Sequence, residues 1–151
     1  MSAPILPVPA VNAAILNAEG RILITRRSAK VREPGKWCLP GGHLDGGETW
    51  QAAMAREVKE EVGLVVVKSC LLGVYSDPLL TVTQDVMPQG HRAQFVVATF
   101  LVTEFAGDVT PNDEVDLWGW FSPEELPTPM LKSHPIRAQD AFAFRGTAFS
   151  R

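Results

Sequence analysis

A mixed α/β (α+β) domain in which strands outnumber helices is the fold class that this sequence predicts. Three observations carry it. Only one stretch, Glu48 to Val62, holds a sustained helical pattern of apolar residues. Several runs rich in Val, Ile and Leu recur between turns that contain Gly or Pro. The length, 151 residues, suffices for one core and not for two. Residues 1–151 are therefore expected to form a single domain, irregular over 127–151. A content of 46% hydrophobic and 21% charged residues is that of a globular chain, not a disordered one.

The elements follow in order. The opening MSAPILPVPAV has no basic leader and is interrupted by Pro4, Pro7 and Pro9, so an extended lead-in strand is expected rather than a signal peptide. VNAAILN and RILITRR predict a hairpin from Val11 to Arg27, turning at Ala18-Glu19-Gly20. A basic loop, Ser28 to Lys36, is broken by Pro34-Gly35, and Trp37-Cys38-Leu39 is a short strand ending at Pro40-Gly41-Gly42. The helix Glu48–Val62 is stopped by Gly63, a residue suited to a left-handed cap. Leu64 to Tyr75 is a strand with a bend near Lys68-Ser69, and Asp77 to Arg92 is a long loop. FVVATFLV marks a strand over Gln94–Phe105; a turn at Gly107–Asn112 leads to another at Val115–Phe121. Ser122 and Pro123 predict a helix start, and Ile136–Phe144 a short last helix, with Pro127, Pro129 and Pro135 making the connection irregular.

Charge and cysteines narrow the function classes. Fourteen Lys and Arg against 17 Asp and Glu leave a net charge of −3, with no general attraction for nucleic acid or an anionic membrane. No apolar run approaches the roughly 20 residues of a membrane helix. Cys38 and Cys70 lie in apolar, strand-like stretches. Two buried free thiols in a reducing compartment are expected, hence a cytoplasmic protein.

The helix carries an unusual charge arrangement. At about 100° per residue, Glu57, Glu60 and Glu61 share one arc, while Met54, Ala55, Val58 and Val62 lie opposite. A solvated acidic face is the ordinary reading of such a pattern. Against it, like charges at i, i+3 and i+4 repel, and the last turn is where the helix dipole disfavours anions. A hard divalent cation would reverse both penalties. Upstream, Gly41-Gly42 and Gly46-Gly47 let the backbone turn tightly, and the loop leads into a helix amino end where a phosphate can approach.

Residues 42–64, GHLDGGETWQAAMAREVKEEVGL, resemble the Nudix box, G-x5-E-x7-R-E-U-x-E-E-x-G-U with U a bulky aliphatic residue. Gly42, Glu48, Arg56, Glu57, Val58, Glu60, Glu61, Gly63 and Leu64 fill all nine defined positions. The flanks, ILITRR and the run from Trp37 to Gly42, are similar to MutT-like members. The resemblance implies an α/β/α sandwich with a mixed sheet, and hydrolysis of a phosphoanhydride bond with two or three Mg²⁺ or Mn²⁺ ions. By the same resemblance Glu57, Glu60, Glu61 and the Gly41 carbonyl would bind the ions, Arg56 would orient Glu57, and Glu48 would act behind it. Glu114, six residues before Trp120, would supply a further carboxylate as ligand or base; Asp113 and Asp116 are the alternatives.

The expected partner is a small nucleotide, bound by a monomer or homodimer, with no DNA, RNA or membrane. Arg26 or Arg27 would contact phosphate at the rim of an acidic site. Trp37 or Phe95 could stack a base, and Gly42 would lie beside the substrate. Two clues to substrate class disagree. The ITRR flank and LPGGHL look like nucleoside triphosphate pyrophosphohydrolases of the MutT kind. Pro78, fifteen residues after Gly63, resembles a proline of ADP-ribose pyrophosphatases. The expectation leans to ADP-ribose or a nucleotide sugar. A catalytically silent nucleotide sensor is the alternative of another class, and the intact glutamates count against it.

Overall fold

The computed structural model describes residues 2–151. In chain order its elements are β1 (Ile5–Ile15), β2 (Ile22–Arg27), β3 (Trp37–Cys38), β4 (Gly41–His43), α1 (Trp50–Val62), β5 (Val65–Tyr75), α2 (Pro78–Thr81), β6 (Arg92–Ala106), β7 (Val115–Phe121), a 3₁₀ turn (Pro123–Glu125), α3 (His134–Ala143) and β8 (Phe149–Ser150). Five strands form a mixed sheet in the order β4-β1-β6-β5-β8; three form a second sheet, β3-β2-β7. Strands outnumber helices, as the sequence predicts.

Alternation along the strands builds two apolar layers, because successive side chains on a strand point to opposite faces. Strand β1 runs parallel to β6, Val11 opposite Ala98, Ala13 opposite Phe100 and Ile15 opposite Val102. These six residues pack with Ala53, Met54, Val58 and Val62 of α1. Ala14 and Leu101, on the other face, pack with Leu72 and with Ala138 and Ala141 of α3. The large sheet therefore lies between α1 and α3, an α/β/α arrangement. Full burial of a side chain such as Val58 or Val62 contributes about 1.5–3 kcal/mol, which is what anchors the helix that carries the glutamates.

Both ends of α1 are held. Thr49, not Glu48, is the N-cap, its Oγ1 accepting from the Ala52 N–H at 3.1 Å. Gly63 closes the helix at φ 75° and donates to the Lys59 carbonyl. The following turn donates to two further last-turn carbonyls, Thr110 N–H to Val62 at 2.7 Å and Asn112 N–H to Glu61 at 2.9 Å. This satisfies groups that a helix end otherwise leaves unpaired.

Four expectations need correction. The two arms of the expected Val11–Arg27 hairpin join different sheets: β1 pairs with β4 and β6, β2 with β3 and β7, and only Leu16 and Ile22 bridge them. Burial of β1 between two neighbours wins over a local ladder. The Asp77–Arg92 loop contains α2, capped by Asp77, and a bridge from Val82 to Gln94. Ser122 starts only a 3₁₀ turn and makes no side-chain cap, and α3 begins at His134 with Pro135 in its first turn. Cys38 is buried but Cys70 is exposed, because β5 turns its side away from the core there; both are free thiols. Strands β4 and β8 were not expected. Among the described residues no helix is long and apolar enough to cross a membrane.

Candidate active site

Glu57 and Glu61 stand one turn apart on α1, so they project to the same side, and that side is a wall of a cavity of about 650 Å³. Gly41 and Gly42 of β4, Arg27 of β2 and Glu114 line the same cavity. Strand β4 is brought under α1 by its antiparallel pairing with β1, Gly42 opposite Val11 and Gly41 opposite Asn12. Both glycines are required by closeness. A Cβ on Gly42 would lie 2.5 Å from Glu57 Oε1, and one on Gly41 would collide with the Val11 carbonyl.

The carboxylates sit in unequal environments. Glu61 is the more enclosed; its Oε2 accepts from the Gly41 N–H at 3.1 Å. Burial pushes its carboxyl up to about 8, the Glu57 and Glu114 charges push the same way, and the Gly41 N–H opposes them. Glu57 is also raised, first by burial, although Arg56 draws it down. Arg56 is the hub behind them. Its Nη1 donates to Glu57 Oε1 at 2.9 Å and to Glu60 Oε2 at 3.2 Å. Its Nε and Nη2 grip both oxygens of Glu48, and Nη2 also reaches the His43 carbonyl. This two-pronged pairing holds Glu48 below the usual carboxylate range. Glu48 in turn accepts from the Asp45 N–H, fixing the loop before the helix.

Glu60 and Glu114 are exposed, and Glu60 does not line the cavity. The three-glutamate arc therefore divides, with Glu57 and Glu61 on the cavity and Glu60 on its outer edge, tied in through Arg56. Glu114 is held by its backbone, donating to Asn112 Oδ1 and accepting from the Ser28 N–H at 2.8 Å. Its charge acts on both Glu57 and Glu61. The alternatives are engaged elsewhere: Asp113 pairs with Lys30 at 2.9 Å and Asp116 with Arg26 at 2.8 Å.

The substrate residues expected from sequence separate. Arg27 lines the cavity and Arg26 does not. Trp37 packs edge-on to Phe121, ring centroids 5.5 Å apart, within the apolar cluster under α3. Pro78 is exposed at the start of α2, whose Leu80 and Thr81 reach the cavity instead. Phe95 does line it, 5.7 Å from the His43 ring. Sequence reasoning missed Asn12, His43, Ser133, His134 and Arg137, all of which line the cavity. A signal existed for two of them: His134, Arg137, Ala138 and Ala141 recur at helical spacing, placing polar groups on the buried face of α3.

Among the described residues no group of three or more His, Cys, Asp and Glu side chains converges into a ready-made ion site. The donor set nevertheless suits a hard divalent cation. Two carboxylates are enclosed together, each raises the cost of ionising its neighbourhood, and a third carboxylate faces them. The space against Glu57 is also kept open by the missing Cβ of Gly42.

Comparison with known proteins identifies the family. Residues 6–142 match the model of the NUDIX domain. The chain is 35% identical over 123 residues to an ADP-ribose pyrophosphatase of Methanocaldococcus jannaschii, covering 80% of this chain and 65% of that protein. It is 30% identical to a MutT-like protein of Streptomyces ambofaciens, covering 93% of this chain and 80% of that one. Among solved structures, a MutT NUDIX hydrolase from Burkholderia pseudomallei superposes with a TM-score of 0.74 at 30% identity, covering 89% and 98% of the two chains. This chain thus spans just under two thirds of the archaeal relative. Nudix hydrolases use divalent metal ions and act on small nucleotides. With Gly42, Glu57 and Glu61 of its complete box on the wall of one cavity, this chain belongs to the Nudix family.

Proposed function

We propose that the protein hydrolyses a phosphoanhydride bond in a nucleoside diphosphate linked to a second group, such as ADP-ribose or a nucleotide sugar, releasing a nucleoside monophosphate. The observation that carries this reading is the facing of Glu57, Glu61 and Glu114 across one nucleotide-sized cavity. Glu57 and Glu61, with the Gly41 carbonyl and Glu114, would hold Mg²⁺ or Mn²⁺, and Glu60 would join them from the outer edge once released from Arg56. When bound, such ions neutralise the charge of the diphosphate and make water a stronger nucleophile.

The protein's own groups then divide the remaining work. Arg56 keeps Glu57 oriented through the 2.9 Å contact, and Glu48 keeps Arg56 in place. Arg27 balances phosphate charge at the rim. Glu114 or Glu57 accepts the proton of the attacking water; Glu114, exposed and anchored only by its backbone, is free to swing toward it. The archaeal relative, named an ADP-ribose pyrophosphatase, supports the choice of a diphosphate-linked substrate. A second reading, pyrophosphohydrolysis of a nucleoside triphosphate, is favoured by the likeness to a MutT NUDIX hydrolase over nearly all of both chains.

The test is a panel of ADP-ribose, nucleotide sugars, nucleoside triphosphates and dinucleotides, each with Mg²⁺ and with Mn²⁺, products separated by chromatography. A nucleoside monophosphate released fastest from a diphosphate-linked compound is the expected result. Pyrophosphate released from a triphosphate would install the second reading. Stoichiometric binding with no turnover would leave a nucleotide sensor.

A further inference from the structure

The cavity has a second wall that the hydrolytic chemistry does not use. On the α3 side it is formed by His134 and Arg137. Arg137 is only 3% exposed, yet among the described residues it has no carboxylate partner. The nearby Asp140 is taken by the Tyr75 hydroxyl at 2.8 Å and by both arms of Arg151. The Nε of Arg137 is buried without any hydrogen-bond partner, and its Nη1 faces His134 Nε2 at 3.3 Å.

That last contact is between two donors. The Leu39 N–H donates to His134 Nδ1 at 2.9 Å, so Nδ1 carries a lone pair and the proton of the neutral ring is on Nε2. Burial and the charges of Arg137 and Arg27 hold this imidazole neutral. The Tyr75 face, 5.2 Å from the Arg137 guanidinium, gives a cation–π contact but no acceptor atom. A buried cation left without an acceptor is strongly destabilising. The apolar contacts of α3 with the sheet are made by Ala138 and Ala141.

We infer that Arg137, with His134 beside it, forms a donor-only subsite for a group presenting two adjacent acceptors, the O6/N7 edge of a guanine base. This rests on the reading of the cavity as a nucleotide site, and within the proposed diphosphate-linked class it selects a guanosine diphosphate derivative over ADP-ribose. With the diphosphate held at the carboxylate wall, a nucleoside placed on the α3 side of the same cavity would meet Arg137 and His134. An arginine fork matches O6 and N7 of guanine. Adenine offers N7 beside an amino donor on that edge, and 8-oxoguanine carries a proton on N7, so each sets a donor against a donor.

The test is calorimetric titration of the metal-free protein with GMP, AMP, 8-oxo-GMP and inorganic phosphate, for the wild type, Arg137→Leu and Arg137→Lys. GMP is expected to bind about tenfold or more tightly than AMP or 8-oxo-GMP, as one bidentate base contact provides. Arg137→Leu, which removes a buried charge, brings GMP down to the level of AMP. Arg137→Lys, which keeps the charge and loses the fork, does the same if the leucine variant fails to fold. Equal affinity for GMP and AMP in the wild type overturns the inference. So does equal affinity for GMP and 8-oxo-GMP, phosphate binding as well as GMP, or a folded variant that keeps the preference. Because no divalent cation is present, a failure of metal-dependent hydrolysis would leave this result standing, and the reverse also holds.

Discussion

Replacing Gly42 by alanine should lower activity on the order of 10²-fold and leave the fold intact. The added Cβ would stand 2.5 Å from Glu57 Oε1, 2.6 Å from its Cδ and 2.8 Å from Oε2, where ordinary contact begins at 3.4 Å. The Glu57 carboxylate must therefore retreat by about 1 Å, since repulsion rises steeply inside contact distance. It cannot move alone, because Arg56 Nη1 holds the same Oε1 at 2.9 Å. A misplacement of about 1 Å in a catalytic constellation costs on the order of 10²-fold in rate. The backbone raises no objection: Gly42 has no positive φ and lies in the β4 ladder opposite Val11. Alanine at a compatible position even removes about 0.4–1 kcal/mol of unfolded-state entropy. The assay is steady-state hydrolysis with Mg²⁺ alongside a thermal melt. Near wild-type kcat in a folded Gly42→Ala protein would refute the placing of Glu57 at the reacting end of the cavity.

Two further outcomes follow from the same groups. Glu61, raised from 4.5 to about 8 chiefly by burial, keeps a proton in the folded metal-free protein that the unfolded chain has lost. Metal-free stability should therefore fall as pH rises from about 4.5 to 8 and level off above. Urea midpoints measured in chelator across that range should slope downward for the wild type and be flatter for Glu61→Gln; equal slopes would contradict it. Arg56→Ala leaves Glu48, Glu57 and Glu60 without their shared cation. Stability should drop by about 1.5–3 kcal/mol, as for loss of charged hydrogen bonds, and kcat should drop with it. Unchanged kcat would mean that Arg56 is only a structural clasp.

What could be read from the sequence was whatever is local. Helix α1 announced itself because its burial face, its Gly63 stop and its glutamate spacing all lie within one stretch. The five-stranded sheet did not, because β1 finds its main partner in β6, at the other end of the domain. A short apolar run states that it will be buried and not against what. Cys70 misled for a related reason. Strand β5 exposes Val65, Val67 and Leu71, so an apolar run there faces outward over much of its length. In the site, helical spacing brought Glu57 and Glu61 together, but it could not separate Glu60, whose partner is chosen by the Arg56 rotamer. Arg26 and Arg27 are equal as sequence. Strand alternation sends one to Asp116 outside and the other into the cavity.

The measurement closest to the central claim is the rate of nucleoside monophosphate release from ADP-ribose and nucleotide sugars as Mg²⁺ or Mn²⁺ is raised from zero. It should be made on the wild type and on Glu57→Gln and Glu61→Gln. The account predicts no turnover without a divalent cation and saturable turnover with it, and each neutral variant falling by orders of magnitude while remaining folded. Near wild-type turnover in either variant, or turnover that persists in chelator, would contradict it.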